Sequence, residues 1–496
     1  MKKILFSSLL ALAGLSAVLP SCKKEYLETS PTDQAAQGDI FKTTTNAWNA
    51  INGIHRSLYI QYNSRQDQGG QSKNMIDMDM LGEDLVCPTT GNGWFITTHR
   101  WTDHRNENAW SPYFNFQFYY DIIANANMII ANIDAATGPD ADKKTIKGQA
   151  LAYRAWSYFQ MIQLFGQRYD KTTSNSGLGL TIVLAPTTEK LPRSTVAQVY
   201  TVIVNDLTAA IANLTGAPAR SNVSHINVNV AKGLRARVAL AMQDWATAAQ
   251  MANEARQGFA LMTNAQYLQG FNNYTNPEWM WGSRQVADQT TYFYSFFAYM
   301  SADFNSTNIR TNPKCINSAL YNAISATDVR KTVWDPTGTN TAFPTPPGGA
   351  RYPYMNRKFL SGGGSGSSIG DVPLMRVAEM YLIEAEAKAR AGGQDAAAAA
   401  VLFTLAKQRD PSYVLSTNTG QALIDEIMIQ RRAELWGEGF RFYDLKRLNL
   451  PLNRNGANHN AAVATTMAVP AGDKQWEFLI PRTELNTNSA CVQNPL

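Results

Sequence analysis

Cysteine, charge and long hydrophobic runs are all scarce in this sequence of 496 residues. Its four cysteines are far apart, at Cys22, Cys87, Cys315 and Cys491. That spacing excludes CxxC redox motifs, paired-cysteine zinc sites and a disulfide-dense scaffold. Charged residues make up 17% and leave a net charge of +5 without a strong basic run, which argues against a nucleic-acid-binding protein. Hydrophobic residues, at 45%, suffice for a core, and the length favours two domains or an elongated scaffold.

The one long hydrophobic run lies at the N-terminus. Two lysines precede the uncharged stretch 4–19, which at 16 residues is shorter than the ~20 that span a bilayer and is typical of a secretion signal. The Leu-Pro-Ser-Cys sequence that ends at Cys22 resembles the lipobox of bacterial lipoproteins, in which the cysteine is lipidated. We therefore predict a signal peptide over 1–21, a lipid anchor at Cys22 and a polar linker over 22–38. The alternative is an ordinary signal cleaved nearby.

Helical periodicity dominates much of the remaining chain. Over 195–214 apolar residues recur every three or four positions, and Thr195 and Gln198 have the spacing of a capping box. The same period predicts helices over 110–133 and 149–165. Two further pairs of helices, joined by minimal turns, are predicted over 230–242 with 245–257 and over 373–390 with 396–409. Such hairpins are typical of helical-repeat scaffolds.

Two details of the last hairpin can be tested against a structure. We expect Pro373 to open its first helix, because proline is favoured in a first helical turn. The pairs Glu384–Lys388 and Glu386–Arg390 have i,i+4 spacing and are expected to mark the exposed face.

The segment 259–371 differs from the helical blocks because it is rich in Asn, Thr, Gly, Pro and aromatic residues. It is predicted to be a loop-rich insertion. Twelve of the 38 residues from 267 to 304 are aromatic, although aromatics make up 10% of the whole chain. Core packing explains most of that excess, with Trp279 and Trp281 expected half buried on one face of a strand.

Motifs for catalysis or metal binding are not fulfilled. The glycine-rich stretch 361–370 lacks the Gly-Lys-Ser/Thr of a P-loop and the G-x-S-x-G of a nucleophile elbow. His99 and His104, the closest pair of histidines, lack the i,i+4 spacing of a helical zinc site and are expected to be solvated loop residues. Carboxylates are too common for any pair to indicate a glycosidase. We predict no catalytic residue, no metal and no cofactor.

The densest charge cluster is RRAELWGEGFRFYDLKR at 431–447, whose opposed charges and aromatic residues indicate a buried salt-bridge corner. This segment resembles the "R..EL..EG.R..DL.R" string of the SusD/RagB-type outer-membrane nutrient-binding lipoproteins. Four other stretches are similar to that family in the same order: 148–166, 193–207, 372–389 and 479–496.

The resemblance implies a mainly α-helical, SusD-like fold of tetratricopeptide-like helix pairs with a few short strands. The body would run over 39–496. Its helical scaffold would occupy 39–258 and 372–447, with 259–371 and 448–496 as an irregular insertion and C-terminal segment. The resemblance also implies a surface-exposed lipoprotein of the outer membrane that partners a SusC-like TonB-dependent transporter. Such a protein captures an oligosaccharide or another nutrient without catalysis.

Loop residues that could contact a sugar are chosen from the composition of two separate loop regions. Sugar C–H faces stack on aromatic rings, and loops that mix aromatic residues with Asn, Gly and Thr suit such contacts. We expect an exposed aromatic platform formed by Trp94, Trp101, Tyr292 and Tyr294, with Arg65 and Asn92 as polar contacts. Two alternatives stay open: a surface glycoside hydrolase, and a helical-repeat interaction scaffold without a small ligand.

Overall fold

The computed structural model describes residues 40–286 and 293–496, which are mainly α-helical with a few short strands. The predicted fold class is therefore confirmed. The predicted signal peptide, the lipidation site Cys22, the linker and the predicted site residue Tyr292 lie outside the described residues.

The described residues form eighteen α-helices. They are α1 (Thr44–Ser57), α2 (Gln71–Met80), α3 (Ile96–His99), α4 (Trp110–Asn132), α5 (Asp140–Phe165), α6 (Val196–Leu214), α7 (Val228–Ala241), α8 (Trp245–Ala255), α9 (Asn264–Tyr267), α10 (Phe297–Met300), α11 (Thr307–Thr311), α12 (Ser318–Ala323), α13 (Val377–Ala391), α14 (Asp395–Arg409), α15 (Gly420–Leu435), α16 (Arg441–Arg447), α17 (Ala461–Ala464) and α18 (Arg482–Thr487). Short 3₁₀ turns lie at Ile133–Ala135, Val329–Val333, Gly364–Gly366 and Lys474–Trp476.

Within residues 40–286 and 293–496, eight short strands join into three small antiparallel sheets. The strands are β1 (Leu85–Val86), β2 (Trp279–Ser283), β3 (Cys315–Ile316), β4 (Trp334–Asp335), β5 (Met355–Asn356), β6 (Val372–Arg376), β7 (Leu452–Asn453) and β8 (Ala468–Val469). Their order is β1-β3-β5-β4 in the first sheet, β2-β6 in the second and β7-β8 in the third.

The long helices pack in chain order, each against the next, from α4 through α8 and then onto α13, α14 and α15. The capping box of α6 is formed, with the Thr195 hydroxyl accepting from the backbone N–H of Gln198 at 3.2 Å. The α7–α8 hairpin is also confirmed. The buried face of α8 consists of alanines, which lets α8 approach its neighbours closely.

The expected start of α13 at Pro373 is wrong. Residues 372–376 form β6, in which Pro373 pairs with Gly282 of β2, and the helix begins at Val377. Both strands are edges in this two-stranded sheet, so one missing N–H donor is tolerated. Trp279 and Trp281 in β2 are fully buried rather than half buried.

The pairs Glu384–Lys388 and Glu386–Arg390 are formed, at 2.7 and 2.8 Å, but they do not mark an exposed face. Both glutamates are buried, because α13 packs against α8, α14 and α15. Glu384 accepts from Arg256, the residue that follows α8, at 2.9 Å.

The charge cluster 431–447 does form a buried salt-bridge corner, as predicted. Asp444 pairs with Arg431 at 2.7 Å and with Arg447 at 2.8 Å, and Arg441 pairs with Glu83. Burial alone would raise the pKa of Asp444, but the two guanidinium groups outweigh it and bring the pKa down to about 2. The corner thus ties α15 and α16 to the residues that follow α2.

Two glutamates of the same segment 431–447, Glu434 and Glu438, belong to a larger ionic network in the core. Its buried members come from the insertion, from β6, from α14 and from α15 with the loop that follows it: Glu278, Asp328, Arg330, Lys358, Arg376, Arg409, Glu434 and Glu438. Glu434 lies at its centre, in contact with Arg330, Arg376 and Arg409. The network therefore fastens the segment 259–371 to the helical scaffold.

His99 and His104 are buried rather than solvated. The ring of His99 bonds the Met80 carbonyl at 3.1 Å, and that of His104 bonds the Gln475 carbonyl at 2.9 Å. Over residues 40–286 and 293–496, no group of His, Cys, Asp or Glu is placed to hold a metal ion. Within the same ranges, every helix is too short or too polar to cross a bilayer.

Candidate functional site

Arg65 lies in a tight loop between α1 and α2 and points toward two tryptophans. The Arg65 amide donates to the Tyr62 carbonyl at 3.0 Å, and the two residues between them, Asn-Ser, both have positive φ, the pattern of a type I′ turn. The guanidinium bonds both carboxylate oxygens of Asp67, at 2.9 and 3.1 Å. This bidentate pair holds the guanidinium plane in one orientation.

The Arg65 guanidinium lies 5.5 Å from the ring centre of Trp94 and 4.9 Å from that of Trp110. Trp110 is the first residue of α4 and is 45% exposed, whereas Trp94 is half buried against the core. A cation over an aromatic face is attracted by the ring quadrupole, so the three side chains hold one another in place.

The loop that carries Asn92 and Trp94 is anchored to α11. The Thr89 hydroxyl donates to the Thr311 carbonyl at 2.7 Å. Gly91 has a φ of +52°, and a Cβ there would lie 2.8 Å from the Asn312 side chain, so only glycine lets the loop approach α11 this closely. Asn92 is exposed at the tip of this loop, and its Oδ1 accepts from the Asn308 amide at 2.8 Å.

Residues around α10 complete the site. Tyr299 is buried, packs edge-on against Phe95 and donates from its hydroxyl to the Gln66 carbonyl at 3.0 Å. Burial raises the pKa of Tyr299 well above its usual range, so this hydroxyl stays neutral. Phe293 is 44% exposed at the start of the same segment.

These residues surround a pocket of about 210 Å³ at the protein surface. It is lined by Gln66, Asn92, Trp94, Phe293, Ala298, Tyr299, Ser306, Thr307 and Asn308. Its walls therefore combine aromatic rings with amide and hydroxyl groups, and no carboxylate is found among the described residues that line it. Aromatic faces suit the C–H faces of a sugar, and amides suit its hydroxyl groups.

Comparison with protein-family models gives two matches that together cover most of the chain. Residues 240–496 match the model of the SusD family, which is more than half of the sequence. Residues 22–240 match a model described as "Starch-binding associating with outer membrane". The chain belongs to the SusD family. The resemblance noted in the sequence is thereby confirmed.

Solved structures agree with this assignment. A SusD-like carbohydrate binding protein from Bacteroides vulgatus ATCC 8482 is 25% identical, with a TM-score of 0.79 over 90% of this chain and 97% of its own. A SusD superfamily protein from Bacteroides thetaiotaomicron VPI-5482 is 24% identical, with a TM-score of 0.76 over 92% and 100%. A laminarin binding SusD-like protein is 19% identical, with a TM-score of 0.70 over 92% and 99%. No curated protein sequence matches the chain.

Three of the residues predicted for the site of this SusD-family protein lie together: Arg65, Asn92 and Trp94. Tyr294 is half buried beside them, and its carbonyl oxygen is so close to Gly69 in the Arg65 loop that a Cβ on the glycine would overlap it. Tyr294 does not line the pocket.

The expectation that Trp101 belongs to an exposed platform is wrong. Trp101 is only 3% exposed, its indole N–H donates to the Leu81 carbonyl at 2.9 Å, and its ring packs edge-on against Trp476 at 4.8 Å. A tryptophan with a buried partner for its N–H is a core residue.

Sequence reasoning missed most residues of the candidate site in this SusD-family protein, among them Trp110, Phe293, Tyr299 and Asn308. Phe293 and Tyr299 were within the aromatic-rich stretch, but nothing local separates an aromatic that faces a pocket from one that faces the core. Trp110 carried a usable signal, because a tryptophan that opens an amphipathic helix directly after a polar loop can lie outside the buried stripe.

Proposed function

We propose that this SusD-family protein binds an oligosaccharide, or another nutrient of similar chemistry, in the pocket beside Trp94. The observation that carries the proposal is the arrangement of Trp94 and Trp110 around the Arg65 guanidinium, next to the amides of Asn92 and Asn308. Trp110 is 45% exposed and Trp94 is half buried, so both rings keep surface on which the C–H face of a sugar could stack.

We further propose that the protein captures its ligand without cleaving it. Glycoside hydrolysis ordinarily requires two carboxylates that flank the scissile bond. The carboxylate of Asp67, in the Arg65 loop, is bonded by the Arg65 guanidinium through both oxygens. The bidentate pair engages both oxygens, so this carboxylate is not free to act as the nucleophile of a glycosidase.

The location and partner of the protein are also proposals. We propose that lipid on Cys22 holds the body at the outer surface of the outer membrane, and that the ligand passes from the pocket to a SusC-like TonB-dependent transporter. The description of the family that matches residues 22–240 supports the membrane location. The lipobox-like sequence that ends at Cys22 supports the anchor.

A glycan panel tests this function against its alternatives. Laminarin and soluble starch suit the first trial, because the matched structure and the matched family are named for those two glycans. The purified protein is incubated with each glycan, binding is measured by calorimetry, and products are sought by chromatography. Saturable binding without products is expected. Products would favour a surface glycoside hydrolase, and no binding across a broad panel would favour an interaction scaffold.

A further inference from the structure

A buried lysine lies directly behind the pocket. Lys314, just before β3, is 1% exposed, and its Nζ donates to Asn308 Oδ1 at 2.9 Å and to the Asn312 carbonyl at 2.6 Å. Its hydrogen-bond acceptors in the described part of the chain are thus neutral oxygens rather than a carboxylate. Burying an ammonium group this way is far more costly than burying a methionine, and burial lowers the pKa of Lys314. A lysine at this position therefore requires an explanation beyond packing.

Lys314 is the inner end of a chain of hydrogen bonds that reaches the pocket. Its ammonium bonds the oxygen of the Asn308 amide, and Asn308 is itself 2% exposed. The nitrogen of that amide then donates to the oxygen of the Asn92 amide at 2.8 Å. Asn92 is exposed and lines the pocket. Within residues 40–286 and 293–496, the only hydrogen bond that Asn92 makes through its side chain is this one.

This series of hydrogen bonds has a fixed direction from donor to acceptor, and Lys314 sets that direction. An asparagine amide has nearly the same shape in its two orientations, so only its partners decide which end carries the oxygen. An ammonium group has three donors and no acceptor, so Asn308 must turn its oxygen toward Lys314. Its NH₂ group then faces Asn92, which must in turn offer its own oxygen. The NH₂ group of Asn92 then has no acceptor among the described residues, and Asn92 lines the pocket.

We propose that Lys314 is a positioning residue that orients the amides of Asn308 and Asn92 so that the pocket presents an N–H donor to an acceptor oxygen of the ligand. The proposal rests on the proposed function for the identity of that ligand, a saccharide hydroxyl or ring oxygen. The orientation itself does not depend on that function. A site with this polarity distinguishes ligands by the group that they place beside Asn92. A ligand with only a hydrogen-bond donor there would leave two donors facing each other.

The orientation can be measured without any ligand. Side-chain NH₂ resonances of asparagine are recorded in ¹⁵N-labelled protein, and those of Asn92 and Asn308 are identified by their loss in Asn92→Asp and Asn308→Asp. In the wild type, the Asn308 NH₂ group is expected to exchange slowly with water, because it is buried and donates to Asn92. The Asn92 NH₂ group is expected to exchange rapidly. A protected Asn92 NH₂ group in the wild type would overturn the proposal.

The variant Asn308→Asp separates orientation from stability. Its carboxylate gives Lys314 an ion-pair partner, so the melting temperature should be unchanged or higher. Both carboxylate oxygens are acceptors, however, so Asn92 must rotate, donate to Asp at 308 and turn its own oxygen toward the pocket. The Asn92 NH₂ group should then become protected from exchange. The charge control is Asn453→Asp, an exposed asparagine whose oxygen accepts from the Asn455 amide and which would keep that bond.

Binding supplies the second measurement, with laminarin as the probe, or soluble starch if the wild type binds that glycan instead. Asn308→Asp should bind at least about tenfold more weakly than wild type, with Asn453→Asp unaffected. Wild-type affinity in Asn308→Asp together with lost affinity in Trp94→Ala would overturn the role of Lys314 and leave the proposed function standing. Wild-type affinity in both variants would instead contradict the proposed function, and the exchange rates would still decide the orientation.

Discussion

The variant Glu434→Gln should unfold far more readily than the wild type, although glutamate and glutamine have nearly the same shape. Glu434 is fully buried and meets three guanidinium groups, those of Arg376 at 2.9 Å, Arg409 at 3.1 Å and Arg330 at 3.4 Å. The connected network contains four cationic and four anionic side chains. Glu434→Gln leaves that network with one uncompensated positive charge in the core.

Removing one partner of a buried ion pair typically costs about 3 to 5 kcal/mol, a large share of the total stability of a folded domain. Equilibrium unfolding in urea, followed by tryptophan fluorescence, measures the loss. The matched control is Asp134→Asn, which removes a carboxylate paired with Lys147 at the surface and should cost less than about 1 kcal/mol.

A second substitution tests the cause of that loss. Arg409→Gln in the Glu434→Gln background restores the balance of charge, so the double variant should lose clearly less stability than the sum of the two single variants. Strict additivity would show that the charges do not interact as the structure places them. A loss below about 1 kcal/mol in Glu434→Gln alone would refute the reasoning altogether.

Three other expectations follow from the sequence and the structure. Cys22→Ser should release the protein from the membrane fraction, and a variant that still sediments with membranes would contradict the lipid anchor. Trp156→Ala should lower stability by about 3 to 5 kcal/mol, because the ring is buried between Tyr119 and Trp281; near-normal melting would contradict this packing. Burial lowers the pKa of His459 to about 4 in the folded protein. In the unfolded chain the same imidazole takes up a proton near pH 6.5. The free energy of unfolding should therefore fall as the pH drops from about 6.5 to about 4, with His459 contributing up to about 3 kcal/mol of the loss. If a His459→Gln variant loses stability over this range as steeply as the wild type, His459 is not the cause.

Local patterns predicted those elements whose determinants lie within a few residues of each other. The spacing of apolar residues and the Thr195–Gln198 capping box are sufficient to place α6, and its observed bounds, Val196–Leu214, agree with them. The buried salt-bridge corner was predictable for a similar reason, since opposed charges and aromatic residues are interleaved within one short segment.

Elements that depend on distant partners were predicted less well. Pro373 looks like a helix start in its own neighbourhood, but a strand from residues almost a hundred positions earlier pairs with it. Glu384 looks exposed on its own helix, but α8 packs against that helix and Arg256, just after α8, bonds the carboxylate. In both cases the deciding interaction is with a segment that is distant in the sequence, so the spacing of neighbouring residues does not reveal it.

The same limit applies to the candidate site. Trp94 and Trp101 occur seven residues apart in one polar stretch, and composition treats them alike. The structure separates them because Leu81 and Trp476 enclose Trp101, while Arg65 holds Trp94 at the edge of a pocket.

Cysteine pairing likewise depends on strand register. The sequence positions of Cys87, Cys315 and Cys491 do not decide whether any two of them form a disulfide, and all three are free thiols in the structure. Cys315 lies opposite Val86 in the β1–β3 pair, so the next residue, Cys87, points to the other face of the sheet. Cys87 accordingly packs in the main core, while Cys315 packs with Phe343 and Met355 in a separate cluster.

Calorimetric titration of two tryptophan variants with the glycan that the wild type binds tests the central claim most directly. Trp94→Ala removes the ring beside Arg65 at the pocket, and Trp245→Ala is its matched control, a half-buried tryptophan at the start of α8 with the Lys171 ammonium 5.3 Å from its ring centre. Trp94→Ala is expected to lose about 2 kcal/mol or more of binding energy, roughly thirtyfold in affinity, while Trp245→Ala binds like the wild type. Wild-type affinity in folded Trp94→Ala would contradict the account.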